Sequence, residues 1–164
     1  MGHRHIRSKN KKEDGLREKQ KLMETYGLTE KQVNEYIGEA LKTENKAEYV
    51  LRKLESRLDN IVYRLGFALS RKKAHELVMH GHISVNDQRV DVPSYHVEQR
   101  DMIALEKDIF DSPHIKEVLS ARKSSNFPSW LKLEKNVGYV FHLPWEKELR
   151  QEKIDIDKII ELYL

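Results

Sequence analysis

The spacing of apolar positions changes along the chain, and the changes outline its elements. Residues 1–15 carry no periodic apolar signal and read as a flexible basic arm. Leu16 to Tyr26 reads as a helix stopped by Gly27, which suits a left-handed C-terminal cap. Thr29 with Gln32 makes a capping-box pattern, and Leu28 with Val33 occupies the positions of a hydrophobic staple. Val33, Tyr36, Ile37, Ala40 and Leu41 then recur at helical spacing. A long third helix is predicted from Asn45, with Val50, Leu51, Leu54, Leu58, Ile61, Val62 and Leu65 as its stripe and Gly66 as its end. Ser70 opens a fourth helix and Gly81 closes it. The period then switches to two: Ile83 and Val85, then Val90 and Val92, with Asn86-Asp87 between them, predict a hairpin. Met102 to Leu105 is a further strand, and Ser112-Pro113 opens a helix carrying Ile115, Val118 and Leu119. Phe127-Pro128 breaks the chain, Trp130 to Leu133 and Val137 to Leu143 pair as a second hairpin, and Ile156 to Leu164 is a short apolar helix that needs a partner.

Composition narrows what such a chain can be. Hydrophobic residues make up 38% of 164 and charged residues 35%, so two small cores or an extended shape are expected rather than one large core. There is no cysteine, which excludes disulfides, thiolate zinc sites, iron–sulfur clusters and cysteine nucleophiles. No apolar run approaches the roughly 18 residues of a membrane span, no apolar signal core opens the sequence, and Ile6 stands where a myristoylation pattern wants Ser or Thr. A soluble intracellular protein without a membrane partner is expected. The net charge is only +3, but it is segregated: eight bases face three acids in residues 1–21, three face six in 22–51, and nine face six in 52–100.

Within the second basic zone the placement of charge suggests chemistry. At 100° per residue, Leu54, Leu58, Ile61, Val62 and Leu65 share one side of the predicted long helix, while Arg57, Asn60 and Arg64 share the other. Guanidiniums hold phosphate oxygens bidentately, and an amide reads a base edge or a sugar hydroxyl. The alternative for this stripe is a solvated face with local pairs to Glu55 or Asp59. The next helix favours the first reading. Its opening turn is Arg71-Lys72-Lys73, with Ser70 placed to cap Lys72 or Lys73. Cations at a helix N-terminus oppose the dipole, and an anion there resolves the conflict. With no glycine-rich phosphate loop present, a nucleic-acid backbone is the expected anion. His75, His80 and His82 do not form a metal pattern, because His80-Gly81-His82 crosses a helix end; no metal or other cofactor is expected. No catalytic motif appears, Ser124-Ser125 reads as a loop, and the chain is not expected to be an enzyme.

Residues 57–86, RLDNIVYRLGFALSRKKAHELVMHGHISVN, carry R-L-D, a glycine, S-R-x-x-A-x-x-L and G-x-I-x-V-N. This pattern resembles the small RNA-binding module named after ribosomal protein S4. LREKQKLMETYG at 16–27, VPSY at 92–95, P-x-W-L at 128–131 and D-I-D-x-I-I-E-L-Y at 155–163 extend the resemblance over nearly the whole chain, to the small-subunit ribosomal protein S4 family of bacterial or organellar type. The resemblance implies an α+β chain: a helical lobe plus an S4-type module of two helices packed on a small, mostly antiparallel sheet. The expected division is an arm at 1–15, a helical lobe at 16–53 joined by the C-terminal helix 155–164, the module at 54–107, and its extension at 108–154. The family implies a non-enzymatic constituent of the small ribosomal subunit that binds 16S-type rRNA early in assembly, meets neighbouring small-subunit proteins, and lines the path by which mRNA enters. The expected location is the cytoplasmic ribosome, with an organellar ribosome as the alternative.

By motif, Arg57, Asn60, Arg64, Arg71, Lys72 and His80 would face rRNA, joined by Lys73 from the basic turn and by Arg17, Lys19, Gln20 and Lys21 from the helical lobe. Asp59 would be a structural partner of nearby donors, and Arg7, Lys9, Lys11 and Lys12 would supply charge along the mRNA path. The sequence departs from the family in opening at Met1-Gly2-His3 without the usual longer N-terminal segment, often zinc-bearing, and in having Asn86-Asp87 where the family hairpin is commonly Asn-Gly. Two other functions compete. A ribosome-associated stress or quality-control factor would use the same module, and an RNA-modifying enzyme would append it to a catalytic domain, for which few residues remain here.

Overall fold

A computed structural model describes residues 2–121, 127–144 and 152–164, with side chains described from residue 9 onward. The loop expected at Ser124-Ser125 and the side chains of His3, His5 and Arg7 lie outside the described residues. The chain divides into two compact units, Met1–Lys53 with Leu149–Leu164, and Leu54–Glu148.

The first unit is helical. Helix α1 runs Gly2–Tyr26, so the segment expected as a flexible arm is the first half of a helix. Residues 3–14 contain neither Gly nor Pro and are rich in Lys and Arg, which propagate a helix even without an apolar stripe. Helix α2, Glu30–Ala40, begins with the expected capping box: Gln32 N–H donates to Thr29 Oγ1 at 3.2 Å, and Thr29 N–H donates to Gln32 Oε1 at 3.0 Å. Helix α3 spans Lys46–Glu55, most of it in this unit. The core collects Leu22, Tyr26, Leu28, Val33, Ile37 and Ala40 with Ile156, Ile159 and Ile160 of the C-terminal helix α8, Ile156–Glu161. Helix α8 is the partner of α1, and the crossing is close: a Cβ on Gly15 would lie 2.8 Å from the Leu162 side chain and from the Lys158 carbonyl.

The second unit is α+β. The predicted long helix does not run through. It stops at Glu55, and α4, Leu58–Arg64, starts afresh. Arg57 is extended (φ −62°, ψ 138°) and forms an isolated antiparallel bridge with His96. Ser56 accepts from Val97 N–H at 2.9 Å, and Leu58 N–H donates to the Tyr95 carbonyl at 2.7 Å. Backbone partners from residues 93–97 thus replace two helical links that the apolar period alone would have continued. Helix α5, Arg71–Met79, has the expected Ser70 cap on Lys73 N–H (3.1 Å). Gly27, Gly66 and Gly81 all adopt the left-handed conformation their capping places require.

Five strands, β1 Ile83–Val85, β2 Gln88–Arg89, β3 Met102–Leu105, β4 Leu131–Glu134 and β5 Val137–Val140, make one antiparallel sheet in the order β2-β1-β3-β5-β4. Both predicted hairpin turns are present, but the second strand of the first hairpin is Gln88–Arg89, and Val92, expected in it, lies beyond it and is half exposed. Asn86 (φ 52°) and Asp87 (φ 66°) form the first turn, Lys135 (φ 48°) and Asn136 (φ 66°) the second. Alternate residues Ile83, Val85, Ile103, Leu105 and Val140 share a core with Leu58, Ile61, Val62 and Leu65 of α4 and Ala74 and Val78 of α5. Helices α6, Lys107–Phe110, and α7, Pro113–Ala121, add Ile115 to that core.

Candidate RNA-binding surfaces

The break at Ser56–Arg57 changes the meaning of the arginine stripe. Arg57 is not on a helix with Asn60 and Arg64. It is 1% exposed, donating from Nε to Asp59 Oδ1 at 3.1 Å and from Nη2 to Asp59 Oδ2 at 2.9 Å. In the extended cap position its side chain reaches a neighbour two residues on, which a helix would hold on another face. Asp59 also accepts from Asn60 N–H at 2.8 Å, and His75 Nδ1 lies 3.2 Å from its other oxygen. Asn60, also 1% exposed, donates from Nδ2 to the Glu55 carbonyl at 2.8 Å and to the Glu55 carboxylate. Arg57 and Asn60 are therefore interior polar residues in this structure rather than a face offered to solvent. Asp59 is the structural partner that the sequence suggests.

The network ends at two cations. Glu55, 2% exposed, accepts from Arg64 Nη2 at 2.6 Å and Nε at 3.4 Å. Asn60 Oδ1 accepts from Arg71 Nε at 3.1 Å. The guanidiniums of Arg71 and Arg64 lie 4.6 Å and 5.9 Å from the centre of the Tyr63 ring. A buried carboxylate and amide thus fix two arginines around one aromatic ring, leaving each less rotamer freedom than a surface cation has. Beside Arg71, Lys72 and Lys73 are exposed; Lys73 pairs with Glu76 at 3.5 Å, an exposed pair of little strength. His80 is exposed at the C-cap of α5. Sequence reasoning missed Tyr63 and the contact of His75 with Asp59, and it named Glu55 only as a local partner on a solvated face, where the structure buries it. Tyr63 and Glu55 carried a signal, an aromatic beside Arg64 and a carboxylate on the apolar side of a basic zone.

In the helical unit, Arg17, Gln20 and Lys21 lie at i, i+3 and i+4 and are exposed, Arg17 with a 3.5 Å pair to Asp14 and Lys21 with a 3.0 Å pair to Glu18. Lys19 does not join them. Its side chain is 12% exposed, 2.9 Å from Glu30 and 5.2 Å from the centre of the Tyr163 ring. Burial acts to lower its pKa, but the hydrogen bonds with Tyr163 and Glu30 outweigh it and the group is raised above 10.5. Lys19 sits on the stripe of Gly15, Leu22 and Tyr26, all buried, so its place on the packed side was readable from the period. Glu18, on the same side, is held below 4.5, chiefly by the Asp155 N–H it accepts at 3.0 Å.

Residues 56–103 match the family model of the S4 domain. They contain the basic turn of α5 and every residue described in the buried network except Glu55. The chain is 45% identical to small ribosomal subunit protein uS4 of Persephonella marina over 152 residues, which cover 90% of this chain and 74% of that protein. The chain belongs to the uS4 family. Another uS4 relative, from Aquifex aeolicus, is 45% identical over 169 residues, covering 99% of this chain and 80% of its own, and the protein from Thermus thermophilus is 44% identical over 151 residues, covering 90% and 72%. These uS4 relatives are ribosomal proteins and not enzymes, and the α+β fold with an S4 domain is the one expected from the sequence. Among the described residues of this uS4 family member, no helix is long and apolar enough to cross a membrane.

Proposed function

We propose that the chain is a constituent of the small ribosomal subunit that binds 16S-type rRNA from early in assembly, through placed cations rather than bulk charge. The observation that carries this reading is the Glu55–Asn60–Arg71 chain of hydrogen bonds, which holds a guanidinium at the opening turn of α5 beside exposed Lys72 and Lys73. A phosphate at that turn relieves the repulsion between three cations and the positive end of the helix. His80 extends the surface in the same unit, while Arg64, 13% exposed against the buried Glu55, acts with Arg57 and Asn60 as its scaffold. Arg17, Gln20 and Lys21 offer a second, separate set of contacts on α1. Lys9, Lys11 and Lys12 are exposed along α1 and supply the charge assigned to the mRNA path. Neighbouring small-subunit proteins are the remaining partners, and the ribosome is the location.

Quantifying the protein in small subunits after a high-salt wash tests this reading. Near-equal stoichiometry with the rRNA is expected. Loss of the protein in the wash contradicts a structural role and favours a transiently associated factor.

A further inference from the structure

We propose that Tyr63 is a positioning residue of the RNA-binding surface: the face of its ring sets the tilt at which the Arg71 guanidinium meets a phosphate. This rests on the RNA-binding reading above and deepens it, because it makes an uncharged side chain of α4 a determinant of rRNA affinity.

The geometry starts from the turn between the two helices. Gly66, left-handed at φ 75°, follows α4, and Phe67 N–H donates back to the Val62 carbonyl at 3.1 Å. The chain then enters the Ser70 cap of α5, and Arg71 comes back within reach of Tyr63. The central carbon of its guanidinium lies over the ring, 4.6 Å from the ring centre. That is inside the roughly 6 Å over which an aromatic face attracts a cation. Tyr63 itself is half-buried and packs against the core of the second unit, beside the fully buried Val62. The platform is therefore set by packing before any RNA arrives.

The ring supplies what an edge bond does not. Asn60 Oδ1 accepts from Arg71 Nε at 3.1 Å, which fixes one edge of the guanidinium. A guanidinium is planar, so a contact on its face fixes the plane as well. Bidentate recognition of a phosphate depends on that plane being aligned. The constraint matters at this place in the fold. Lys72 and Lys73 share the opening turn with Arg71, and the positive end of the helix opposes all three cations. An arginine pushed away from the turn would have to be ordered again on binding, at a cost in affinity. Arg64 lies farther from the ring centre, at 5.9 Å, and its Nη2 is bound to the buried Glu55 at 2.6 Å, so the ring contributes less there.

The test titrates the full chain against 16S-type rRNA at low salt, where the loss of one cation leaves affinity measurable. Position 63 carries phenylalanine and then its monofluoro, difluoro and trifluoro forms, which keep the ring in place and withdraw negative charge from its face. The series is made with Arg71 present and again with Arg71→Ala. Tyr63→Phe is expected to bind within about twofold of wild type, and affinity is expected to fall stepwise to about fivefold weaker at the trifluoro ring. With Arg71→Ala the series is expected to be flat. A ring that only fills space would not produce this pattern, because fluorination changes its shape little and a packing effect would not depend on Arg71.

A flat series with Arg71 present overturns the positioning role and leaves the rRNA reading intact. A graded series that persists with Arg71→Ala assigns the effect to Arg64 or to the RNA itself and also overturns it. So does a Tyr63→Phe variant that loses as much affinity as the trifluoro ring. A wild-type chain that does not bind 16S-type rRNA overturns the rRNA reading and the positioning role with it.

Discussion

Arg71 donates from Nε to the side-chain oxygen of Asn60 at 3.1 Å, so a cation at the start of α5 is anchored on an amide that is itself buried. That relationship ties RNA affinity to an interior residue. Asn60→Ala removes no charge, yet it frees Arg71 from its anchor and takes a donor from Glu55. We expect a stability loss of about 1–3 kcal/mol in urea denaturation. Weaker rRNA binding is expected under conditions where the variant is fully folded. Unchanged affinity would show that the anchor does not matter for binding.

Arg57 makes the opposite case. Charge reversal there would look like a test of RNA contact from the sequence, but the structure makes it a test of folding. Arg57→Ala leaves Asp59 buried without its bidentate partner, at an expected cost of about 3–5 kcal/mol. Arg57→Lys keeps the charge without the fork and should fall between wild type and Arg57→Ala in urea midpoint. Near-wild-type stability of Arg57→Ala would contradict the assignment.

The difference between these two residues shows what the sequence holds and what it hides. Caps, turns and short hairpins were legible because their signals are local: Thr29 with Gln32, Ser70 before three cations, Asn86-Asp87 between alternating residues. The break at Ser56–Arg57 was not, since the apolar period runs on from Val50 to Leu65 and neither Gly nor Pro interrupts it. It is imposed by pairing with residues 93–97, a contact across some forty positions. The misplacement of Arg57 and Asn60 follows from that single omission. Likewise the second hairpin was readable, but not that β5 would pair with β3 and join both hairpins in one sheet. Arg71, Lys72 and Lys73 were placed correctly at the start of α5, because a helix start needs only its own cap.

Gly15 tests the packing of α8 on α1. A mid-helix Gly→Ala change ordinarily stabilises by about 1 kcal/mol. At Gly15 the added Cβ meets Leu162 and the Lys158 carbonyl at 2.8 Å, so Gly15→Ala is expected to destabilise by about 1–3 kcal/mol. Gly38→Ala in α2, where a Cβ has nothing within 4 Å, should show the ordinary gain. The comparison is made by thermal unfolding, and a higher Tm for Gly15→Ala would contradict the crossing.

Glu18 makes this crossing sensitive to acid. Its carboxyl is held below 4.5, first by the Asp155 N–H, against a desolvation effect that raises it, and then by Lys21. A depressed folded pKa means that the group contributes stability above its unfolded value near 4.5 and loses it as pH falls through the folded value. Glu18→Gln should therefore lower stability at neutral pH and flatten its decline below about pH 4.5, as followed by urea midpoints across that range. An unchanged acid limb would show that the Asp155 contact contributes nothing.

The most direct test of the account is the salt dependence of rRNA affinity for wild type and for Arg71→Ala with Lys72→Ala. Each cation that neutralises a phosphate adds close to one to the slope of log affinity against log salt, so the double variant should bind more weakly with a slope shallower by about two. Equal affinity and equal slope in a folded double variant would contradict the claim that the opening turn of α5 holds the RNA backbone.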